Sequence, residues 1–322
     1  MDYYLAHWNL ENLFDVQNSP NRPPWLQTAL KKELAGWDSQ VLNKKQAQLA
    51  KIIRQMNSGR GPDLMCVCEV ENKPVLEGLV AQLAPLGRNY GVAHHDTSDQ
   101  RGIDVAFIYD KDKFTAEEQF FHVILKRAAT RDLFQVNFRT QQGNLLIAIG
   151  NHWPSRSAGQ YESEPYRIIA GETLSYWASR IADIQGKDAA VLVMGDFNDE
   201  PFNRSVTEYA LAGNSILKVT NATGATFYNL MWRFHGQGIG TFYFSNVANV
   251  LDQFWASRSL FMSAGKFHLE ADAAAIEKIS DMVAHGEYRA PRPFGRPSES
   301  TSYDPDGYSD HFPISLRLSE KD

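Results

Sequence analysis

The stretch VLVMGDFNDEP, residues 191–201, changes within a few positions from an apolar segment to a cluster of carboxylates and an amide. The apolar part is typical of a short buried strand. Asp196, Asn198 and two further acidic residues follow at once, whereas an ordinary turn needs only one or two Gly, Asn or Asp residues. The stretch therefore predicts either a simple strand-to-turn exit or one part of a polar site whose other parts lie elsewhere in the chain.

Within this stretch, alternation along an extended segment predicts that Asp196 and Asn198 point the same way and that Phe197 points into the core. Gly195 is expected to permit a close approach of a neighbouring chain. Asp199 and Glu200 are predicted to form the turn and cap of a helix near residue 202.

The length and net charge of the chain limit the classes of protein to which it can belong. It has 322 residues, 43% of them hydrophobic, and a net charge of −6. That balance argues against a protein that coats nucleic acid with a broad basic surface, although a local cationic groove remains compatible with it. Since no linker or repeat divides the sequence, we expect one domain over residues 1–322. Cys66 and Cys68 lie two apart, so on a strand they share a face and a disulfide is disfavoured.

The first residues and the hydropathy pattern bear on localisation. Residues 1–14 have neither a basic segment nor an apolar core of the kind that signal peptides carry. No apolar run approaches the length of a membrane span, so no membrane partner is expected. We predict a cytoplasmic protein, or a secreted or periplasmic one if a leader has been removed, and a monomer.

Strand and helix patterns alternate along the whole sequence. Strands are predicted at 3–8, 63–68, 103–109, 119–125, 133–138, 144–150, 189–195, 240–245, 250–257 and 312–318. A helix is predicted from Ser39, its expected cap, and the longest helix over 162–185, with Tyr166, Ile169, Thr173, Trp177, Ile181 and Ile184 on one apolar stripe. The close succession of strands between 103 and 150 favours antiparallel pairing, and the last strand is expected inside a sheet. The pattern predicts an α/β fold.

Several of these strands end in the same kind of polar residue. The residues in question are Asn9, Glu11, Asn12, Glu69, Glu71, Asn151, His152, Asp196, Asn198, Asp310 and His311. Carboxylate and amide oxygens are the ligands that Mg²⁺ or Mn²⁺ prefers, and an Asp beside a His suits acid–base work on water. The histidines are too scattered for a zinc cage. Taken singly, each residue is typical of a cap, a turn or a surface pair; the repetition at five strand ends favours a metal-dependent hydrolytic site.

The motifs carrying these residues have a recognisable order. They are WNLENLF (8–14), CVCEVEN (66–72), GNHWPSR (150–156), GDFND (195–199), LDQF (251–254) and SDHFPI (309–314). In this order they resemble the endonuclease/exonuclease/phosphatase superfamily, which includes pancreatic-type DNase, abasic-site endonucleases, inositol polyphosphate 5-phosphatases and neutral sphingomyelinases. The resemblance implies a four-layer α/β sandwich, in which two mostly antiparallel sheets lie face to face and helices flank them.

The resemblance also implies roles for individual residues. Glu69 would be the principal ligand of Mg²⁺, for which Mn²⁺ or Ca²⁺ could substitute, with Asn9 beside it and Asp310 near the metal. These three oxygen donors have the chemistry that a hard divalent cation requires.

Other residues would act on the water and the phosphate. Asp196 and Asn198 would hold the attacking water and phosphoryl oxygens. His311 would be the general base or a cation that stabilises the pentacovalent state, and Asp252 would orient it through the other ring nitrogen. His152 would contact the scissile phosphate.

The substrate depends on loops. Arg101 and Arg156 are predicted to bind a phosphate of the substrate, because a guanidinium presents several hydrogen-bond donors in one plane. Asn151 is also predicted to bind substrate. Each arginine is equally compatible with an ordinary role in its loop. The aromatic and Gly-rich segment 221–244 could stack bases or pack in the core. The leading hypothesis is a Mg²⁺- or Mn²⁺-dependent phosphodiesterase, most simply a nuclease on DNA and otherwise on RNA. The alternatives are a phosphomonoesterase acting on a lipid, sugar or nucleotide phosphate, and a catalytically silent binding module.

Overall fold

The computed structural model describes residues 1–297 and 302–321, so residues 298–301 and 322 of the predicted domain lie outside the described part. The strands are β1 (Asp2–Leu13), β2 (Leu64–Val70), β3 (Tyr90–His94), β4 (Asp104–Asp110), β5 (Phe114–His122), β6 (Leu133–Thr140), β7 (Leu145–His152), β8 (Ala190–Asp196), β9 (Ala212–Gly213), β10 (Phe227–Asn229), β11 (Phe242–Phe244), β12 (Val247–Asn249), β13 (Asp252–Ser257), β14 (Phe267–His268), β15 (Ala274–Ile276) and β16 (Ile314–Glu320). The α-helices are α1 (Pro24–Leu30), α2 (Ser39–Gly59), α3 (Lys73–Ala81), α4 (Gln160–Gln185) and α5 (Ile216–Asn221).

Two sheets carry the fold. In the first, the strand order is β14-β16-β1-β2-β4-β3, with β15 also paired to β16. In the second it is β5-β6-β7-β8-β13-β10-β9, and β11 and β12 form a separate hairpin. Most neighbours are antiparallel, but β1 runs parallel to β2 and β7 runs parallel to β8. The final strand lies inside the first sheet, as predicted.

The sheets face each other across an apolar core. Phe107, Phe138, Met194 and Phe254 belong to the cluster between them. Helices α2 and α3 pack on the outer face of the first sheet, and α4 packs on the outer face of the second. The predicted four-layer α/β sandwich is thereby confirmed. No helix in residues 1–297 and 302–321 is long and apolar enough to cross a membrane.

Of the apolar stripe predicted for α4, only Ile181 belongs to the buried face of the helix. Its buried residues are Ser163, Arg167, Ala170, Gly171, Leu174, Ala178 and Ile181, whereas Ile184 is 72% exposed. The reason is a close approach: a Cβ on Gly171 would stand 2.5 Å from the carbonyl oxygen of Ser205. Small residues therefore line the contact, and the large side chains lie beside it or face outward.

Two further local predictions need correction. The cap of α2 is Asp38, whose carboxylate accepts hydrogen bonds from the backbone N–H groups of Gln40 and Val41, and not Ser39. No α-helix begins near residue 202; a single π-helical turn at Ser205–Tyr209 follows the polar stretch instead.

Candidate active site

The polar strand ends predicted from the sequence meet at one edge of the sandwich. Strands β1 and β2 are parallel, so Asn9 and Glu69 lie toward the same end of the first sheet. Strands β7 and β8 are also parallel, and their register places His152 directly opposite Asp196. Because β13 runs antiparallel to β8, its first residue, Asp252, pairs with Asp196. Because of these strand directions, the last residues of β7 and β8 and the first residue of β13 lie at the same edge of the second sheet.

Irregular backbone conformation changes the direction of the side chains at this edge of the sandwich. The register shifts in β1 between Asn9 and Leu13, and between β2 and β4 at Glu69. Glu69 has φ 63° and Asn198 has φ 51°, in the left-handed region that few non-glycine residues adopt. Bulges and strained residues of this kind concentrate at functional sites, where they turn a side chain out of the regular alternation.

Asp252 lies between two imidazoles. Its Oδ2 is 2.7 Å from Nδ1 of His311, and its Oδ1 is 3.1 Å from Nε2 of His7. Burial alone would lower the pKa of His311, but the charge and hydrogen bond of Asp252 raise it well above its ordinary value. Burial would likewise raise the pKa of Asp252, but His311 and His7 lower it. The pair is therefore an imidazolium–carboxylate pair at neutral pH.

Four polar atoms face a common space beside this pair. Nε2 of His152 is 3.6 Å from Oε1 of Glu69 and 3.8 Å from Oδ2 of Asp196. Nε2 of His311 is 3.9 Å from the same oxygen of Asp196. These separations exceed a hydrogen bond, so the four atoms are not bonded to one another and one ligand beside them could contact more than one of them. Burial, with Arg131 and Arg101 nearby, lowers the pKa of His152 well below its ordinary value, so its imidazole is neutral.

Several carboxyl groups are buried close to one another at this site. Burial raises the pKa of Asp196 to about 6, with Asp252 adding to the effect. Burial also raises the pKa of Asp310 to about 7, and Glu11 and Glu69 reinforce it. A divalent cation would offset the negative charge of these groups, and the donors are oxygens. The donor set thus fits a hard divalent metal.

Not every acidic group near this space is free to bind a metal. Asp196, Asp252 and His311 offer ligand atoms within 4.8 Å of one another. Both oxygens of Asp252 already accept hydrogen bonds from imidazoles, so Asp252 is a partner of His311 and not a ligand. The amide of Asn9 donates to Oδ2 of Asp196 at 3.1 Å, which places Asn9 beside the carboxylates.

The three residues predicted to bind substrate have different surroundings. Arg101 lies at the rim, 45% exposed, with Nη2 3.5 Å from Oε1 of Glu69. Arg156 bonds to the backbone oxygen of Asn198 and to Asp199 through Nε and Nη2. Asn151 is fully buried; its amide donates to the Ile149 carbonyl and its oxygen accepts from the Trp153 indole. Both polar groups of Asn151 are therefore engaged within the protein behind the site, and its contact with substrate stays a prediction.

The opening stretch divides as predicted in part. Phe197 is fully buried, and a Cβ on Gly195 would overlap the carbonyl of Asn151. Asp199, however, is not a helix cap: it is 1% exposed, accepts from Arg156 and Ser205, and forms an ion pair with Arg167 at 2.8 Å. It anchors the loop that carries Asn198. Glu200 accepts from the backbone N–H of Val250 and is not a cap either.

Sequence reasoning missed several supporting residues. His7 was overlooked because a histidine in an apolar strand is typical of the core, although it alternates with Asn9. Arg131 donates to the Trp153 carbonyl and to Asp99, and so supports the segment that follows His152. Lys45, fully buried, donates to Glu11. Only long-range pairing reveals the last two, because their partners lie far away in the sequence.

A groove opens beside Asn198. It has a volume of about 730 Å³ and lies between the loop after β7 and the β11–β12 hairpin. Phe242 lines it and also contacts the His311 ring, with a centroid distance of 4.8 Å. Phe244, at the hairpin tip, is 70% exposed. The groove gives the space beside His311 an aromatic wall.

Other proteins share this arrangement of sheets. The structure aligns with an endonuclease/exonuclease/phosphatase family protein from Bacteroides thetaiotaomicron at 14% identity and a TM-score of 0.58, covering 99% of this chain and 98% of that one. It aligns with D. rerio TDP2 humanized by 14 mutations at 13% identity and a TM-score of 0.58, covering 99% of both chains. A mannosyl-6-phosphatase from B. thetaiotaomicron aligns at 16% identity and a TM-score of 0.57, covering 98% of this chain and 99% of that one. A search of curated protein sequences gave no significant match.

The fold and the cluster of carboxylates and imidazoles define the class of divalent-metal-dependent phosphoester hydrolases. The family model described as Endonuclease/Exonuclease/phosphatase family matches residues 4–320. The chain belongs to this family.

Proposed function

We propose that the protein is a Mg²⁺- or Mn²⁺-dependent phosphodiesterase that acts as a nuclease, with DNA as the favoured substrate. The observation that carries the proposal is the shared space among His152, His311, Asp196 and Glu69, whose facing atoms stand 3.6–3.9 Å apart. A phosphate or a water molecule beside these atoms could form hydrogen bonds with several of them at once. The neutral His152 and the cationic His311 can both donate hydrogen bonds to phosphate oxygens, where charge develops during attack.

The attacking water would be activated by Asp196. Its carboxylate, whose pKa is raised to about 6, can accept the proton of a water held beside it. The water oxygen then forms a bond to phosphorus, the bond from phosphorus to the leaving oxygen breaks, and that oxygen takes a proton from solvent. His311, held by Asp252, stabilises the non-bridging oxygens, and Asn198 lies next to the nucleophile.

The cation would be held by Glu69 with Asn9 and Asp310. When bound, it supplies charge neutralisation at the phosphate oxygens. Arg101, 3.5 Å from Glu69, lies where it can contact a neighbouring phosphate.

The choice of a diester rests on the groove. A diester carries a group on each side of phosphorus, and the groove beside Asn198 offers about 730 Å³ with aromatic side chains for the second group. Nucleobases stack on exposed aromatic rings such as Phe244. A phosphomonoesterase is the second candidate, because a mannosyl-6-phosphatase shares the fold.

A substrate panel tests this proposal. Plasmid DNA, single-stranded DNA, RNA, bis-p-nitrophenyl phosphate, p-nitrophenyl phosphate and mannose 6-phosphate are incubated with the enzyme in EDTA, Mg²⁺ or Mn²⁺. We expect metal-dependent cleavage of DNA and of the synthetic diester. Glu69→Gln should abolish it, whereas Glu208→Gln, a change at an exposed carboxylate paired with Arg204, should not. Turnover of monoesters alone would support the phosphatase, and no turnover of any ester would favour a binding module.

A further inference from the structure

A second group of metal-ligating side chains lies outside the site just described. His94 is the last residue of β3, and Asp104 is the first residue of β4. Together with Asp96 they offer ligand atoms that all lie within 4.8 Å of one another. The loop of residues 95–103 connects the two strands, so the group joins the two ends of this loop.

The imidazole ring of His94 has a buried nitrogen whose hydrogen-bonding capacity is unused within the described residues. Its side chain is 2% exposed, and within residues 1–297 and 302–321 its Nε2 finds no hydrogen-bond partner. The nearest carboxylate oxygen is Oδ2 of Asp104, at 3.6 Å. An imidazolium paired with a carboxylate would be closer, as His311 and Asp252 are at 2.7 Å. A buried polar atom without a partner requires an explanation.

The spacing fits a metal ion between the two groups. Two ligands that each lie about 2.0–2.1 Å from a tetrahedral ion are about 3.4 Å apart. Oδ1 of Asp104 accepts from the backbone and hydroxyl of Thr97, which fixes the carboxylate and directs Oδ2 toward His94. The nearest oxygen of Asp96 lies 3.9 Å from Nδ1 of His94, on the other side of the ring from Asp104, so Asp96, which is 79% exposed, would have to rotate its carboxylate to reach an ion held at Nε2.

The local charge also favours a cation. Asp96 and Asp104 bring two carboxyl groups to His94, at 3.9 Å from its Nδ1 and 3.6 Å from its Nε2. An imidazole with carboxylates suits Zn²⁺, Co²⁺ or Mn²⁺ better than Mg²⁺ or Ca²⁺.

We propose that His94, Asp96 and Asp104 form a second divalent-metal site, selective for a transition metal such as Zn²⁺, that clamps the loop 95–103. The loop carries Arg101, which faces Glu69, and Asp99, which binds Arg131 at 3.2 Å. The ion therefore fixes residues at the rim of the candidate active site. The effect of the ion on the candidate active site rests on the proposed function, whereas the binding of the ion to His94, Asp96 and Asp104 does not.

Metal stoichiometry tests the site. The full chain is stripped with EDTA, dialysed against Zn²⁺ and analysed for bound metal, with Co²⁺ absorption as a spectroscopic check. All variants are made in a Glu69→Gln background to suppress binding at the active site. We expect one equivalent of Zn²⁺ for that background and none after His94→Ala is added. His268→Ala is the matched control, since His268 is an exposed histidine beside Glu270, and it should keep the equivalent.

Further measurements separate binding from misfolding. Asp96→Asn changes only an exposed side chain and should weaken Zn²⁺ binding by about tenfold without altering the fold. Zn²⁺ should protect amides of residues 95–103 from hydrogen exchange in the Glu69→Gln protein and not after His94→Ala. Equal Zn²⁺ content with and without His94→Ala would overturn the proposal, and this comparison does not depend on whether the active site binds metal or cleaves any ester.

Discussion

At the scale of single residues, the chemistry of the site depends on how its buried charges are shared. Asp252 accepts hydrogen bonds from two imidazoles and has no exposed surface. A buried carboxylate without partners would take up a proton, but here it remains ionised and keeps His311 protonated. The position of this one carboxylate therefore sets the charge of a group that faces the substrate space.

Asp252→Asn is expected to lower kcat/KM by about 10³–10⁴-fold, because a neutral amide cannot stabilise the positive charge of the His311 imidazolium. His311→Ala should cause a similar loss. Since the two residues act as one unit, the double variant should be little worse than either single one. Steady-state kinetics on bis-p-nitrophenyl phosphate measures this, with circular dichroism to verify the fold. Losses that multiply in the double variant would show that the two act separately.

Residues at strand ends could be predicted from the sequence, but their supports could not. Asn9, Glu69, Asp196 and His311 lie in short motifs, so their convergence followed from the strand pattern and the family resemblance. Asn151 lies in the same kind of motif, yet its amide donates to the Ile149 carbonyl and its oxygen accepts from the Trp153 indole. The sequence indicates which residue types lie at a strand end, whereas side-chain direction depends on bulges that only the folded pairing shows.

At the scale of elements, close approach between neighbouring segments shapes the site. The junction of β7 and β8 is closed by Gly195, whose missing side chain leaves room for the carbonyl of Asn151. Helix α4 approaches the loop near Ser205 through Gly171 in the same way. The longest helix was predicted at nearly the right bounds, but its buried face was not, because small residues with weak hydrophobicity make the contact.

Gly195→Ala is expected to destabilise the protein by about 1–3 kcal/mol, because the new methyl group overlaps backbone atoms that cannot move aside. The shift would also displace Asp196 and lower activity. Gly213→Ala is the matched control, since no atom lies within 4 Å of its new Cβ. Urea unfolding of both variants measures the effect, and equal stabilities would contradict the steric argument.

The contact between β5 and α4 contains a buried histidine. His122 stacks on Trp177 with ring centroids 4.2 Å apart, and its Nε2 lies 2.9 Å from the side-chain oxygen of Gln135. Burial lowers the pKa of His122 below its ordinary value of 6.5, and the hydrogen bond to Gln135 opposes only part of the shift. The folded state therefore holds the neutral ring.

The stability contributed by neutral His122 is complete above pH 6.5 and is lost as pH falls, because the unfolded chain then binds a proton that the folded chain resists. His122→Gln should make the unfolding free energy fall less steeply between pH 7.5 and 5. Urea titrations across this range measure the slope. His268→Gln, a change at a surface histidine, should leave the pH dependence of the unfolding free energy as it is in the parent protein. If His122→Gln showed the same pH dependence as the parent protein, the lowered pKa of His122 would be contradicted.

At the scale of the whole molecule, a protein with an acidic net charge carries two arginines near its candidate active site. The net charge is −6, while Arg101 and Arg156 border the substrate space. The Nη1 of Arg156 makes no hydrogen bond with the residues that the structure describes, so it can meet a phosphate. Composition indicated weak overall attraction to nucleic acid, but only the fold shows that two guanidinium groups lie near one cleft.

The salt dependence of cleavage should report how many phosphates of the substrate contact Arg101 and Arg156. Each phosphate bound on a single strand contributes about −0.7 to the slope of log affinity against log salt, so two contacts predict a loss of about sevenfold between about 50 and 200 mM salt. KM for a short single-stranded DNA measures this, and bis-p-nitrophenyl phosphate, with a single phosphate, should show little change. Arg101→Gln should reduce the slope by about 0.7. Arg204→Gln removes an exposed arginine that is paired with Glu208 and should not change it. A slope that is equally steep in both variants would mean that the substrate lies elsewhere on the surface, because the charge nearest Glu69 would then make no contact with the strand.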